Sequence, residues 1–292
     1  LAYLPITYLG ATPSAIDDKF YLLYKLYPVG YGRISYERWP GFAWPTRLNS
    51  ENALELIAEL KRRYLLAGSP VDQLIGWLPQ DRPVSPAGKS DPAHFFGCWS
   101  NCGRTVWLQE GGLTDAILAH ELAHNLGRSH TGKDDGCGNV AFSTDWIYDT
   151  SDIQESGFDP WTMQVIPSDQ RDLMTDCFPK WVSPWTYKKL FKSQAQVQQR
   201  QLSQAQPYLL ISGEFYQTGG GQLEPIYHFT SPLTFDLTPT GNDGCLVLQD
   251  AAAQTLAEHC FALDFQDKET GAELAQISFV ATLLGRSDIL AI

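Results

Sequence analysis

Three of the chain's six histidines fall within eleven residues, HELAHNLGRSH, from His120 to His130. Neutral imidazole is a preferred zinc ligand, and three of them with an open fourth position make a catalytic site rather than a closed structural one. LTDAILAHELAHNLG reads as a helix beginning near Thr114, and on a helix positions i and i+4 lie on one face. His120 and His124 therefore project together, able to meet one ion at about 2.0 to 2.1 Å. Glu121 flanks that face, placed to hold a water rather than the ion. Gly127 can adopt the left-handed conformation that ends a helix and turns the chain back. That turn lets His130 supply a third ligand from outside the helix. Zinc acidifies a water and polarises a carbonyl, while a carboxylate beside it moves the proton to a leaving amine. Three structural histidines at a helix end would explain neither the Glu nor the Gly. All the fixed positions of HExxHxxGxxH are present, which is far more specific than HExxH alone.

The elements that must hold these residues alternate through the first half of the chain. LAYLPITYL reads as a strand, followed by a helix in SAIDDKFYLLYKLYP with Ser14 as its cap and Ile16, Phe20, Leu23, Tyr24 and Tyr27 at helical spacing. GRISYERW alternates as a strand. SENALELIAELKRRYLLAG is the strongest helix signal, with Leu54, Ile57, Leu60 and Leu65 near one face and basic residues late in it. VDQLIGWL is then a buried strand and TVWLQE another. This alternation predicts an α/β layered domain. SPWTYKKLFKSQAQVQQRQ reads as a further helix with Ser183 as N-cap and Pro184 at the first helical position. Beyond Pro207 short strands separated by Gly, Pro, Asn and Asp predict a separate all-β sandwich. The expected division is a domain over residues 1–200, a linker over 201–207 and the sandwich over 208–292.

The histidine stretch resembles the extended zinc signature of the metzincin metallopeptidases, carried here by His120, Glu121, His124, Gly127 and His130. The resemblance implies a zincin-like catalytic domain whose active-site helix floors a cleft, with a smaller lower subdomain ending in a helix. It also implies a Met-containing turn beneath the zinc. DLMTDC supplies Met174, preferred over Met163 in DPWTMQVIP because it precedes a Cys and a new helix. In two branches of the family a Tyr two positions after that Met approaches the zinc; here the position is Asp176, so a tyrosine ligand is unsupported. The strand before the active-site helix, RTVWLQE, would border the cleft and pair with an extended peptide, unless it is an ordinary internal strand. HELAHNLGRSH, DLMTDC and WVSPWTY are similar to a loose set of secreted microbial metzincins with a Cys after the Met-turn. The activity so implied is zinc-dependent hydrolysis of peptide bonds in protein substrates.

Composition narrows the partners. A formal charge of −12 repels phosphate backbones and anionic lipid, which argues against nucleic-acid or membrane-surface partners. No apolar run approaches the roughly 18 residues of a membrane span. LAYLPITYLGA is apolar but lacks a basic n-region and reads as a first strand, with any signal or pro-segment outside this sequence. Six cysteines without a CxxC pair fit three disulfides in an oxidising, extracellular setting. Proximity and domain membership pair Cys98 with Cys102, Cys137 with Cys177 and Cys245 with Cys260, one choice among about fifteen. Six reduced buried thiols are the alternative. The second pair would tie the loop after the third ligand to the Met-turn.

Eight acidic residues against the single basic Arg171 lie between Asp145 and Asp176. With Trp146, Tyr148, Phe158 and Trp161 interspersed, they suggest either a preference for basic or aromatic side chains or merely a solvated face. The acidic loops KDDGCGN and TGNDGC are candidates for calcium, but neither matches a known ligand spacing. His94, His228 and His259 read as structural. A monomer is the expected state, with the sandwich a candidate surface for a protein or glycan. Two other readings stand beside the peptidase: a catalytically silent zinc-containing adhesion protein, and a hydrolase of another bond. Glu121 argues against the first, since a purely structural site needs no general base.

Overall fold

Along the first strand, Ala2, Leu4, Ile6 and Tyr8 enter one core cluster while Tyr3 enters another, as the two-residue period of a strand buried on both faces requires. The computed structural model describes residues 1–16, 21–30, 32–49, 52–68, 71–82, 84, 88–90, 103–111, 114–133, 136–137, 145–198, 205–231, 241–266, 273–285, 289 and 291–292. Its first half comprises β1 (Ala2–Tyr8), α1 (Tyr21–Leu26), β2 (Glu37–Arg38), β3 (Phe42–Trp44), α2 (Ala53–Leu66), β4 (Leu74–Leu78), β5 (Gly88–Ser90), β6 (Thr105–Gln109) and α3 (Thr114–Asn125). Six strands form one sheet in the order β2-β1-β4-β6-β5, with β3 also on β1. All its pairings are parallel except that of β5 with β6.

Helices cover both faces, as buried parallel strands demand. Leu56, Ile57, Leu60 and Tyr64 of α2 pack with Leu74, Leu78 and Trp107 on one face. Leu54 lies at the margin of that stripe and Leu56 inside it, a shift from the expected face. Gly76 lets α2 come close, because a Cβ there would sit 2.7 Å from Leu60 Cδ1. On the other face Leu23, Leu26 and Tyr27 join Leu118, Ala119, Leu122 and Ala123 of α3 over Ile75, Trp77, Val106 and Leu108. Ser14 does not cap a helix; its side chain bonds Glu110 instead.

The segment after α3 contains β7 (Gly157–Asp159), β8 (Gln164–Ile166), β9 (Arg171–Asp172), β10 (Lys180–Trp181) and α4 (Pro184–Gln198). Ser183 caps α4, its Oγ accepting the Thr186 amide at 3.1 Å. Among the described residues that follow, the regular elements are all strands: β11 (Gln206–Tyr216), β12 (Gly221–Leu223), β13 (Tyr227–Ser231), β14 (Gly244–Gln249), β15 (Thr255–Phe261) and β16 (Gln276–Leu284). β11 pairs with β12, β13 and β16, all antiparallel, and β14 pairs with β15. Leu209, Ile211, Phe279, Ala281 and Leu283 of the larger sheet pack on Leu246, Leu248 and Phe261 of the smaller. On its opposite face Tyr208, Leu210 and Val280 enter the same cluster as α2. The chain is thus mixed α/β with several sheets, and its C-terminal sheet shares a core with the first half.

Candidate metal centre

The end of α3 decides the geometry of the histidines. Gly127 sits at φ +82°, the amide of Arg128 donates to Ala123 O at 2.9 Å and that of Gly127 to His124 O at 2.8 Å. These two bonds are a Schellman cap, which needs a residue without a Cβ penalty at the left-handed position. The turn carries the Arg128 carbonyl back to 2.6 Å from His124 Nδ1. Arg128 itself is buried and pairs with Asp145 at 2.9 Å.

His120, one turn earlier, places Nδ1 2.7 Å from the carbonyl of Leu173. A carbonyl only accepts, so both Nδ1 atoms carry the proton and both Nε2 atoms are left as bare lone pairs. Those lone pairs converge on Nε2 of His130. Nε2 of His120 lies 3.0 Å from Nε2 of His124 and 3.0 Å from that of His130, and the third side is 3.2 Å. Burial above all, and then the charges of Lys180, His124 and His130, hold His120 well below its usual range. Burial and His130 do the same for His124. Three imidazole nitrogens within 3.2 Å of one another form a donor set that fits a metal ion.

Glu121, 6% exposed, follows His120 on the same helix. A Cβ added to Gly88 of β5 would lie 2.7 Å from Ile117 Cγ2, so the bare backbone there lets α3 pack close to β5 beside Glu121. Tyr27 donates to the Ala119 carbonyl at 2.5 Å, and burial followed by the Glu121 charge raises its phenol well above the usual range. Met174 is 1% exposed and packs in the cluster that holds α3, whereas Met163 is 73% exposed in the turn between β7 and β8. Met174's carbonyl accepts the Thr131 amide at 3.1 Å, which anchors the residue beside His130. Cys137 and Cys177 are bonded, as are Cys245 and Cys260, which face each other across β14 and β15. Cys98 and Cys102, with His94, lie outside the described residues. Asp176 Oδ1 stands 3.9 Å from His130 Nε2.

Two readings left open by the sequence are narrowed. β6, which includes most of RTVWLQE, is flanked on both sides, by β4 and β5, and is an internal strand; among the described residues the sheet ends at β5. Gly-Lys-Ser carries no alternation or β-branched residue, so its sequence gave no strand signal. Much of the acidic run is also committed internally: Asp145 to Arg128, Asp152 to Arg171, Asp159 to Lys25, and Asp172 to buried donors. His228 is exposed on β13 and His259 is half-buried, both far in sequence from the cluster. The calcium candidates lie partly outside the described residues. Cys245, Glu258 and Cys260 do cluster, but the two sulfurs are spent in their disulfide.

Sequence reasoning missed the groups behind the ligands. Lys180 Nζ lies 3.1 Å from His120 Nδ1 and opposes protonation of that ring. The Leu173 and Arg128 carbonyls are backbone groups and carry no signal in residue type. In comparisons with known proteins, no protein-family model and no curated protein matches this chain.

Proposed function

We propose that this chain is a secreted zinc-dependent endopeptidase of the metzincin kind. The observation that supports it is the convergence of three imidazole Nε2 atoms beside a carboxylate that follows the first of them on one helix. His120, His124 and His130 would hold the ion. Bound zinc supplies a Lewis acid that acidifies water and polarises a carbonyl. Glu121 takes up the water's proton and returns it to the departing amine, the role a general base and acid must fill in peptide hydrolysis. Leu173 and Arg128 keep two ring tautomers fixed, so Nε2 alone is offered to the ion. Met174 floors the cluster. The zincin-like unit would occupy residues 1–200 and the β unit 208–292 would be an accessory. Two disulfides, with no described helix long and apolar enough to cross a membrane, are compatible with an extracellular setting.

The deciding experiment measures zinc content and cleavage of a denatured protein mixture for the wild type and for Glu121→Gln. One zinc in each protein with cleavage by the wild type alone is the expected result. Zinc in both with cleavage by neither would favour a binding protein or a hydrolase of another bond.

A further inference from the structure

Asp172 is fully buried, yet it carries a carboxylate at the junction of three elements. Its Oδ1 accepts the Met174 amide at 2.8 Å and the Thr186 hydroxyl at 3.1 Å; its Oδ2 accepts the Ser183 amide at 2.9 Å. A buried carboxylate is costly unless donors fill its lone pairs, and here the donors come from the Met174 turn and from the start of α4. Burial still pushes its carboxyl up, against the pull of those hydrogen bonds. The turn so gripped presents two consecutive carbonyls toward the histidines. Leu173 O receives His120 Nδ1–H, and Met174 O receives the amide of Thr131, the residue after His130.

We propose that Asp172 is the positioning residue of the cluster, clamping the turn whose two carbonyls set His120 and His130. His124 is set differently, by Arg128 within the cap of α3 itself. Loss of the clamp therefore releases two imidazoles and spares the third. This asymmetry separates positioning from general support, because a merely structural residue would loosen all three alike. The inference rests on the metal reading for its consequence but not for its geometry, which is that of the protein alone.

The test compares Asp172→Asn with Leu56→Ala, a fully buried residue of α2 that belongs to a different core cluster from Leu173 and Met174. In the metal-free proteins, the ring Nδ1–H signals of His120 and His124 are followed by nuclear magnetic resonance; in the loaded proteins, zinc loss to a chelator is timed. Asp172→Asn should weaken or shift the His120 signal, leave that of His124, and speed zinc loss on the order of tenfold or more. Leu56→Ala should lower the melting temperature while leaving both signals and the zinc rate near wild type. Unchanged His120 in Asp172→Asn, or zinc loss that tracks stability equally in both variants, overturns the proposal. If Asp172→Asn does not fold, Thr186→Val removes one donor and should give the same asymmetry in smaller measure; a symmetric effect there overturns the proposal as well. A wild type that takes up no zinc would end the peptidase reading, and the contrast between His120 and His124 would then decide the positioning role by itself.

Discussion

Cys137 and Cys177 are joined by a disulfide that ties the loop after His130 to the chain just beyond Met174. The two cysteines lie 40 residues apart, so the cross-link removes loop-closure freedom worth about 4 kcal/mol from the unfolded chain. It also holds the turn that anchors Thr131. Replacing both with Ser should speed zinc loss more than it unfolds the distal β unit. Zinc release and the melting of each unit, followed separately, check this; equal loss in both would count against a local role for the bond.

Glu121→Gln keeps the size of the side chain and removes the base. Zinc content should stay at the wild-type value while peptide cleavage falls by roughly 100-fold or more. Metal analysis beside a cleavage assay checks this, and a variant as active as the wild type would remove Glu121 from the chemistry.

Gly127→Ala forces a side chain into the left-handed conformation at φ +82°. The strain should cost about 1 to 2 kcal/mol. It should also draw the Arg128 carbonyl away from His124, so zinc affinity falls together with the urea midpoint. Loss of stability with intact zinc affinity would show that the cap and the ring are not coupled.

The shared core predicts joint unfolding. Leu210, on β11, is fully buried among residues of the first half. Leu210→Ala should cost about 2 to 5 kcal/mol. Its melting, followed by signals from both units, should remain one transition at lower temperature. A β unit that melts alone would mean the shared face contributes little.

Carboxylates at this junction set a pH dependence. Burial first, then the charges of Glu214 and Glu224, raise Glu55 above its ordinary 4.5; burial and Glu224 raise Glu214. Both bind their proton more tightly in the folded chain. Their contribution to stability is therefore complete below the ordinary carboxylate pKa and is lost as pH rises through the raised values. Glu214→Gln should flatten that decline between mild acid and neutrality, measured as the urea midpoint against pH. An unchanged slope would mean the carboxylates are screened by solvent.

Much of the centre was legible in the sequence because it depends on local geometry. The i, i+4 spacing of His120 and His124, the glycine at Gly127 and the Ser183-Pro184 cap act over a turn or two of helix, where residue type and spacing suffice. Met174 was preferred over Met163 on its neighbours, and the fold buries the one and exposes the other. The helix stripe of α2 was placed slightly wrong because Leu54 and Leu56 are both apolar and only the packing partner chooses between them.

By itself the sequence determined which residues share the histidine-bearing helix, where that helix stops, and that histidines rather than thiols would form the cluster. Tertiary structure alone decided that β5 pairs with β6, that β6 is internal, that the β unit lends its outer face to α2, and that the Leu173 carbonyl orients His120. The division has a physical cause. Helix spacing and caps are set by neighbours along the chain, whereas sheet order, shared cores and backbone acceptors arise from contacts between distant segments, which no local pattern encodes.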